Sequence, residues 1–242
     1  MPIYNEEEAQ ELIHLGINMV DVSCLSDEEP VFAKGIHAPI CIIVGNGPSA
    51  KGFTPPDGVP VIAVNGAIDW INRSEHQLLD DYFFTLDPSK ENMRRMQVQN
   101  QRYGFKYVAA VPDEIELPDG VIRYKRIARR NEEPKPRFSP EWYLWRWSCV
   151  SGLSEVDGEI NTGNSAYGAL GLAYLLGFKH VSLIGVDGTD EPRLDGKRSG
   201  NLDHLGLLFE SALPQIDVVS CGVLDTVPQM SMQEWLCKYS PY

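Results

Sequence analysis

The sequence lacks most of what marks a secreted or membrane-embedded chain. No apolar run approaches the roughly 18 residues that a membrane-spanning helix needs. The first residues, MPIYNEEEAQELI, are acidic and lack the basic-then-apolar order of a secretory signal. Cysteine is scarce: Cys24, Cys41, Cys149, Cys221 and Cys237 make an odd count with no CxxC spacing. Neither a disulfide framework nor a zinc knuckle is indicated, and a reducing cytoplasm is the expected compartment. Positive charge is short as well, with 21 Lys and Arg against 34 Asp and Glu and a net charge of −13. That balance argues against nonspecific nucleic-acid binding by the whole surface, though not against a local basic patch. No GxGxxG, no GK[ST] and no internal repeat occurs, so neither a dinucleotide fingerprint nor a P-loop is present.

What the chain does have is a series of short, continuous apolar runs. At 242 residues, with a hydrophobic share of 43%, it suits one α/β domain. Ile40–Val44 (ICIIV) reads as a strand buried on both faces. It is broken at once by Gly45-Asn46-Gly47-Pro48-Ser49, where two glycines permit close backbone approach and Ser49 can reach a phosphate or cap a turn. VPVIAVN ends on Asn65, YFFTLD on Asp87, and VSLIGVD on Asp187. In a parallel sheet these ends line one edge, where open α/β sheets bind ligands. A core role explains the apolar runs but not the polar residue at each end, so a ligand cleft is expected there.

Between them, Thr162-Gly163-Asn164-Ser165 reads as a capped helix start. Ala166, Ala169, Leu170, Ala173 and Leu176 follow at helical spacing, and Gly177 is the stop. Small residues let such a helix lie close on a sheet, and its free N–H groups suit an anion. Ser89–Asn100 and Leu205–Leu213 read as further helices, Tyr107–Val111 and Ile216–Cys221 as strands, and Ser231–Tyr239 as a last helix.

The expected architecture is α/β: a Rossmann-like, mostly parallel sheet flanked by helices, with a lid loop and an irregular inserted segment. Residues 1–36 are expected to form a helical appendage, 37–242 a single Rossmann-like ligand-binding domain, 88–150 the inserted or variable segment, and 188–203 the lid. Within the insertion, Arg123–Arg137 carries seven basic residues against two acidic ones, and EWYLWRWSC follows with three tryptophans and a tyrosine. Basic residues beside aromatics suit a nucleic acid. The preferred reading is that the tryptophans pack a subdomain or a homo-oligomer interface.

Taken in order, GNGPS, VN, TLDPS and TGNSA…LGFKHVSLIGVDG resemble two related groups. One is the bacterial lipooligosaccharide sialyltransferases, which use CMP-sialic acid. The other is a wider family that includes the archaeal 6-hydroxymethyl-dihydropterin pyrophosphokinases. The likeness covers roughly Pro39–Asp87 and Asn161–Trp235. It implies that Gly45, Asn46, Gly47 and Ser49 approach the phosphates or sugar of a nucleotide-sugar donor. Asn65 would hold its phosphate or ribose, and Thr162 and Gly163, next to Asn164, would present a hydroxyl and N–H groups. Asp87 falls where the sialyltransferases carry a polar donor-binding residue, and an acid there could instead support Mg²⁺, with Asp187. His204, after the lid, would take the proton from the acceptor hydroxyl, as a neutral imidazole can near pH 7.

The lid departs from the sialyltransferases in having no tyrosine. Arg193 and Arg198, with Lys197, would then meet the departing phosphate. The expected activity is inverting glycosyl transfer from a nucleotide sugar to a hydroxyl acceptor, with the basic stretch suiting an anionic glycan or modified DNA. An ATP- and Mg²⁺-dependent pyrophosphokinase and a non-catalytic nucleotide-binding protein are the alternatives.

Overall fold

The computed structural model describes residues 39–71, 81–198 and 200–239, and the expected helical appendage of 1–36 lies outside them. Among these described residues nine strands follow in order: β1 Ile40–Val44, β2 Val61–Val64, β3 Asp81–Thr85, β4 Phe105–Ala109, β5 Val121–Arg123, β6 Lys125–Ile127, β7 Glu159–Asn161, β8 His180–Ile184 and β9 Asp217–Ser220. Seven of them form one sheet in the order β5-β4-β3-β2-β1-β8-β9, with every pair parallel. The fold is therefore α/β and Rossmann-like. The chain leaves β1 toward β2 on one side and returns to β8 on the other, which makes β1/β8 the topological switch point.

Strand side chains alternate between two apolar layers, as the pleat requires. Cys41 and Ile43 of β1 face one layer, and Ile40, Ile42 and Val44 face the other. Both layers are closed, which is why the sequence shows continuous apolar runs rather than alternation.

The first layer is built around α3, Ser165–Leu175, whose residues 166 to 173 are all buried. It has no solvent face because the main sheet lies on one side and the small parallel pair β6–β7 on the other. Its small residues make this fit: a Cβ at Gly168 would lie 2.8 Å from the Phe84 ring and 3.0 Å from Leu86. The helix starts where expected, with the Asn164 side chain accepting from Ala166 N at 2.7 Å, and it stops at Gly177 with φ +89°. Helix α4, Leu205–Ala212, packs on the same side through Leu205, Leu208 and Phe209.

The second layer holds α1, Lys90–Met96, and α5, Met232–Tyr239. Helix α1 is shorter than the twelve-residue helix expected from the sequence. Gln97 is extended, and the side chains of Asn100 and Gln101 donate to the carbonyls of Arg94 and Met96 at 2.7 and 2.8 Å, ending the helix. Helix α2 is Pro140–Arg146, with Ser139 capping Trp142 N. The segment 88–150, read from sequence as an insertion, supplies β4 and β5 to the main sheet and β6 to the small one.

Helix α5 is anchored by the fully buried Trp235 and by a polar cluster at its end. His180 stacks on Tyr239 at 4.1 Å, and the Asp217 carboxylate takes the Tyr239 hydroxyl at 2.7 Å and His180 Nδ1 at 2.8 Å. Burial pushes the Asp217 carboxyl up, but these hydrogen bonds outweigh it and hold it below its ordinary value. A depressed folded-state pKa contributes stability above the unfolded value, about pH 4, and loses it as the pH falls. Asp217→Asn is therefore expected to flatten the decline in stability below about pH 4. Urea unfolding across a pH series checks this, and an unaltered acid limb in the variant would refute it.

Candidate functional site

The carboxyl ends of β1, β2, β3 and β8 and the N-terminus of α3 meet at one cleft of about 260 Å³. Its wall includes Gly45, Asn46, Gly47, Asn65, Asp87, Asn164 and Asp187, all singled out from sequence, and Arg193 from the lid. Ser49, Thr162, Gly163, Arg198 and His204 are not on that wall.

The switch point itself is closed by the protein. Gly45 N donates to Ile184 O and Gly47 N to Gly185 O, both at 2.8 Å. A Cβ at Gly45 would stand 2.2 Å from Gly185 O, so the two turns touch through bare backbone. Asp187, only 7% exposed, accepts Ser49 N at 2.8 Å through one oxygen and the Ser49 hydroxyl through the other. Ser49 Oγ in turn accepts from Gly185 N at 2.9 Å. Ser49 and Asp187 thus clasp the β1 turn to the β8 turn rather than presenting their groups to a ligand.

Three asparagines do present groups. Asn46 Oδ1 accepts from Trp70 Nε1 at 2.7 Å. Asn65 Oδ1 accepts from Thr85 Oγ1 at 2.7 Å and Asn92 Nδ2 at 3.1 Å, and Asn164 Oδ1 is used as the α3 cap. Each oxygen is consumed by the protein, which orients the amide and leaves its NH₂ as the end without a hydrogen-bond partner among the described residues. Such nitrogens can only donate. Asn65 also holds a left-handed backbone, φ +52°, a conformation that Asn tolerates better than most residues and that concentrates at functional sites.

Behind them runs a network that the sequence did not suggest. Buried Asn92 of α1 reaches Thr85, Asp87 and Asn65, and Arg95 Nη1 donates to Asn92 Oδ1 at 2.8 Å. Arg95 is paired with both oxygens of Asp69 and lines the cleft. The only signal for these residues was the helix following the Asp87 turn, one turn of which brings Asn92 back over β3.

The lid is tied across the opening. Leu194 N donates to Asn46 O at 2.9 Å, and Lys197 pairs with Glu91 at 3.2 Å. Arg193 lines the cleft with a buried Nε that lacks a hydrogen-bond partner, 3.6 Å from Asp195. Arg198 is exposed.

The helix-start residues Thr162 and Gly163 are spent on packing. Thr162 Oγ1 donates to Ile127 O at 2.5 Å, and a Cβ at Gly163 would lie 2.7 Å from the Tyr167 ring.

His204 is 4% exposed and opens α4, between Leu202 and Leu205 of the cleft wall. Its ring stacks on Tyr143 at 6.2 Å, and its Nδ1 is buried without a hydrogen-bond partner. Desolvation lowers its pKa, only partly opposed by the Asp203 charge, so the imidazole is neutral near pH 7.

Among the described residues no three His, Cys, Asp or Glu side chains converge as a metal site. Asp187, with both oxygens on Ser49, is not available beside Asp87, so a Mg²⁺ held by this pair does not fit the arrangement.

No family model, curated protein or solved structure matches the chain.

Proposed function

We propose that the cleft takes a nucleotide-linked donor and that the protein is a glycosyltransferase acting on a hydroxyl acceptor. The observation that carries this reading is the set of three oriented amides, Asn46, Asn65 and Asn164, around one cleft at the carboxyl edge of a parallel sheet. Groups that only donate suit the oxygens of a phosphate, which only accept. They also bring no positive charge, so they hold such oxygens chiefly by direction. Arg193 at the lid supplies the charge that a departing phosphate would need, and its Nε makes no hydrogen bond and only a 3.6 Å ion pair with Asp195.

In this reading His204 is the general base, neutral and with a free ring nitrogen. Because it lies just behind the wall, between Leu202 and Leu205, the lid must shift for it to meet the acceptor.

A second reading, pyrophosphoryl transfer from ATP, draws support from the carboxylates of Asp87, Glu91, Glu191 and Asp195 along the same wall. Any magnesium would then enter with the nucleotide phosphates.

Thermal melting against nucleotides, nucleotide sugars and ATP, with and without Mg²⁺, separates the two. A ligand that binds only the folded state at about 100 times its Kd adds about 2.7 kcal/mol, a shift of several degrees. The expected result is a metal-independent shift with one nucleotide sugar, weakened in Asn65→Ala. His204→Gln should keep that shift and lose acceptor-dependent release of nucleotide. A shift confined to ATP with Mg²⁺ would favour the second reading, and no shift at all would defeat both.

A further inference from the structure

The basic and aromatic stretch from Arg123 to Trp147 meets the candidate site through Tyr143, which stacks on His204, and its charged side chains fall into two sets. Part of its charge is spent internally. Lys125 pairs with Glu159, Arg137 with Glu133, and Arg123 donates to the carbonyls of Pro112 and Ile115. Arg129, Arg130 and Arg146 are different: all three are exposed, and among the described residues none is paired with a carboxylate.

Two of these arginines lie over a cluster of tilted and edge-on rings. The Arg130 guanidinium lies 5.0 Å from the Trp145 ring centre, and that of Arg146 lies 5.4 Å from Trp142 and 5.6 Å from Trp147. Arg129 belongs to the same patch, since its backbone N donates to Ser148 O while Arg130 Nη2 donates to Arg146 O. The inner rings are fixed by their own hydrogen bonds, Trp142 Nε1 to Glu133 and Trp145 Nε1 to Asn131 O. The outer ones are open: Trp147 is 51% exposed, and Phe138, 5.1 Å from Trp142, is 68% exposed.

We infer that this surface binds single-stranded nucleic acid, with bases stacked on Trp147 and Phe138 and phosphates on Arg129, Arg130 and Arg146. Rigid rings with open faces beside unneutralised guanidiniums are what such strands require. Charge complementarity selects the occupant further. The chain as a whole carries −13, so an extended anionic plane such as a membrane would meet repulsion wherever the acidic surface came near it. A single strand touches only the patch, and charges beyond about 8 Å are screened at physiological salt. A flat base also continues the alternation of indole, guanidinium and indole in Trp142, Arg146 and Trp147, which a puckered sugar chain does not. This assignment is independent of what the cleft binds.

Fluorescence polarisation of a labelled oligothymidylate of about 12 nucleotides, within the range such surfaces occupy, tests it on the full chain. Trp147→Ala is expected to weaken binding about tenfold. The pair Arg129→Gln and Arg130→Gln should reduce the slope of log affinity against log salt by about 1.4, the value for two phosphate contacts on a single strand. Tyr103→Ala, which removes a ring that is 90% exposed outside the patch, should change nothing. Melting curves confirm that the variants, all altered at exposed side chains, remain folded. No binding at roughly 50 mM salt, or binding indifferent to Trp147→Ala, would overturn the inference. So would a preference for anionic vesicles or a sulfated polysaccharide over the oligonucleotide.

Discussion

Gly185→Ala is expected to cost about 4 kcal/mol of stability, from left-handed strain together with overpacking. Gly185 sits at φ +69°, where a side chain is disfavoured in itself, and its added Cβ would lie 2.6 Å from Gly45 O and 2.8 Å from Ala50 Cβ. Backbone cannot step aside as a flexible side chain can, because Gly45 is held by Ile184 and Gly47 by Gly185 itself. In a domain of this size the loss lowers the melting temperature by roughly 8–16 °C. Gly196→Ala is the matched control, since it has φ +75° but nothing within 4 Å of the new Cβ. It should cost about 1 kcal/mol, the conformational penalty alone. Equal effects in the two variants would show that the turns of β1 and β8 are not in the contact described.

Asp187→Ala should be nearly as damaging, about 2–4 kcal/mol, because it strips the acceptor from both the Ser49 N–H and the Ser49 hydroxyl in a part-buried place. Asp187→Asn keeps the shape and one good acceptor, and the serine hydroxyl can turn to accept from the new NH₂, so its cost should be about 1 kcal/mol. Urea unfolding of the two variants measures the difference. The clasp predicts that stability falls first and that any ligand affinity follows it. Were the carboxylate a ligand-binding group, affinity would fall while the unfolding midpoint held.

These two residues illustrate what could be read from the chain in advance. A strand buried on both faces is a continuous apolar run, so β1, β2, β3 and β8 were legible, and so was the polar residue ending each. Their sharing of one edge followed from the parallel sheet. What could not be read was how the polar ends divide their work. Ser49 and Asp187, 138 residues apart, bind each other, whereas Asn46 and Asn65 keep a free amide. That division depends on where Trp70, Thr85 and Asn92 come to rest, and no spacing in the sequence states it. Thr162 and Gly163 were read as groups facing a ligand because a helix start is a good anion site. Thr162 is instead absorbed by the β6–β7 layer, whose strands are three residues each and too short to show a period, and Gly163 by close packing against Tyr167 and Leu208. The basic stretch looked like one feature and proved to be two, with β6 woven into that layer and the arginines beyond it left on the surface.

The strand order has a consequence for how the protein is made. On one side β1 pairs with β2, which emerges from the ribosome almost at once, but on the other it pairs with β8, which begins only at residue 180. At about 5–20 residues per second, the interval is on the order of ten seconds. Throughout it ICIIV, an interior strand of the finished sheet, is an open edge on its β8 side, and α3, its cover on one face, is completed only just before β8. A fully buried strand of the mature molecule is thus left with an open side during synthesis, when an uncovered apolar edge invites pairing between nascent chains. Slower growth temperatures and chaperones that hold apolar segments should therefore raise the yield of soluble chain more than any change to its surface.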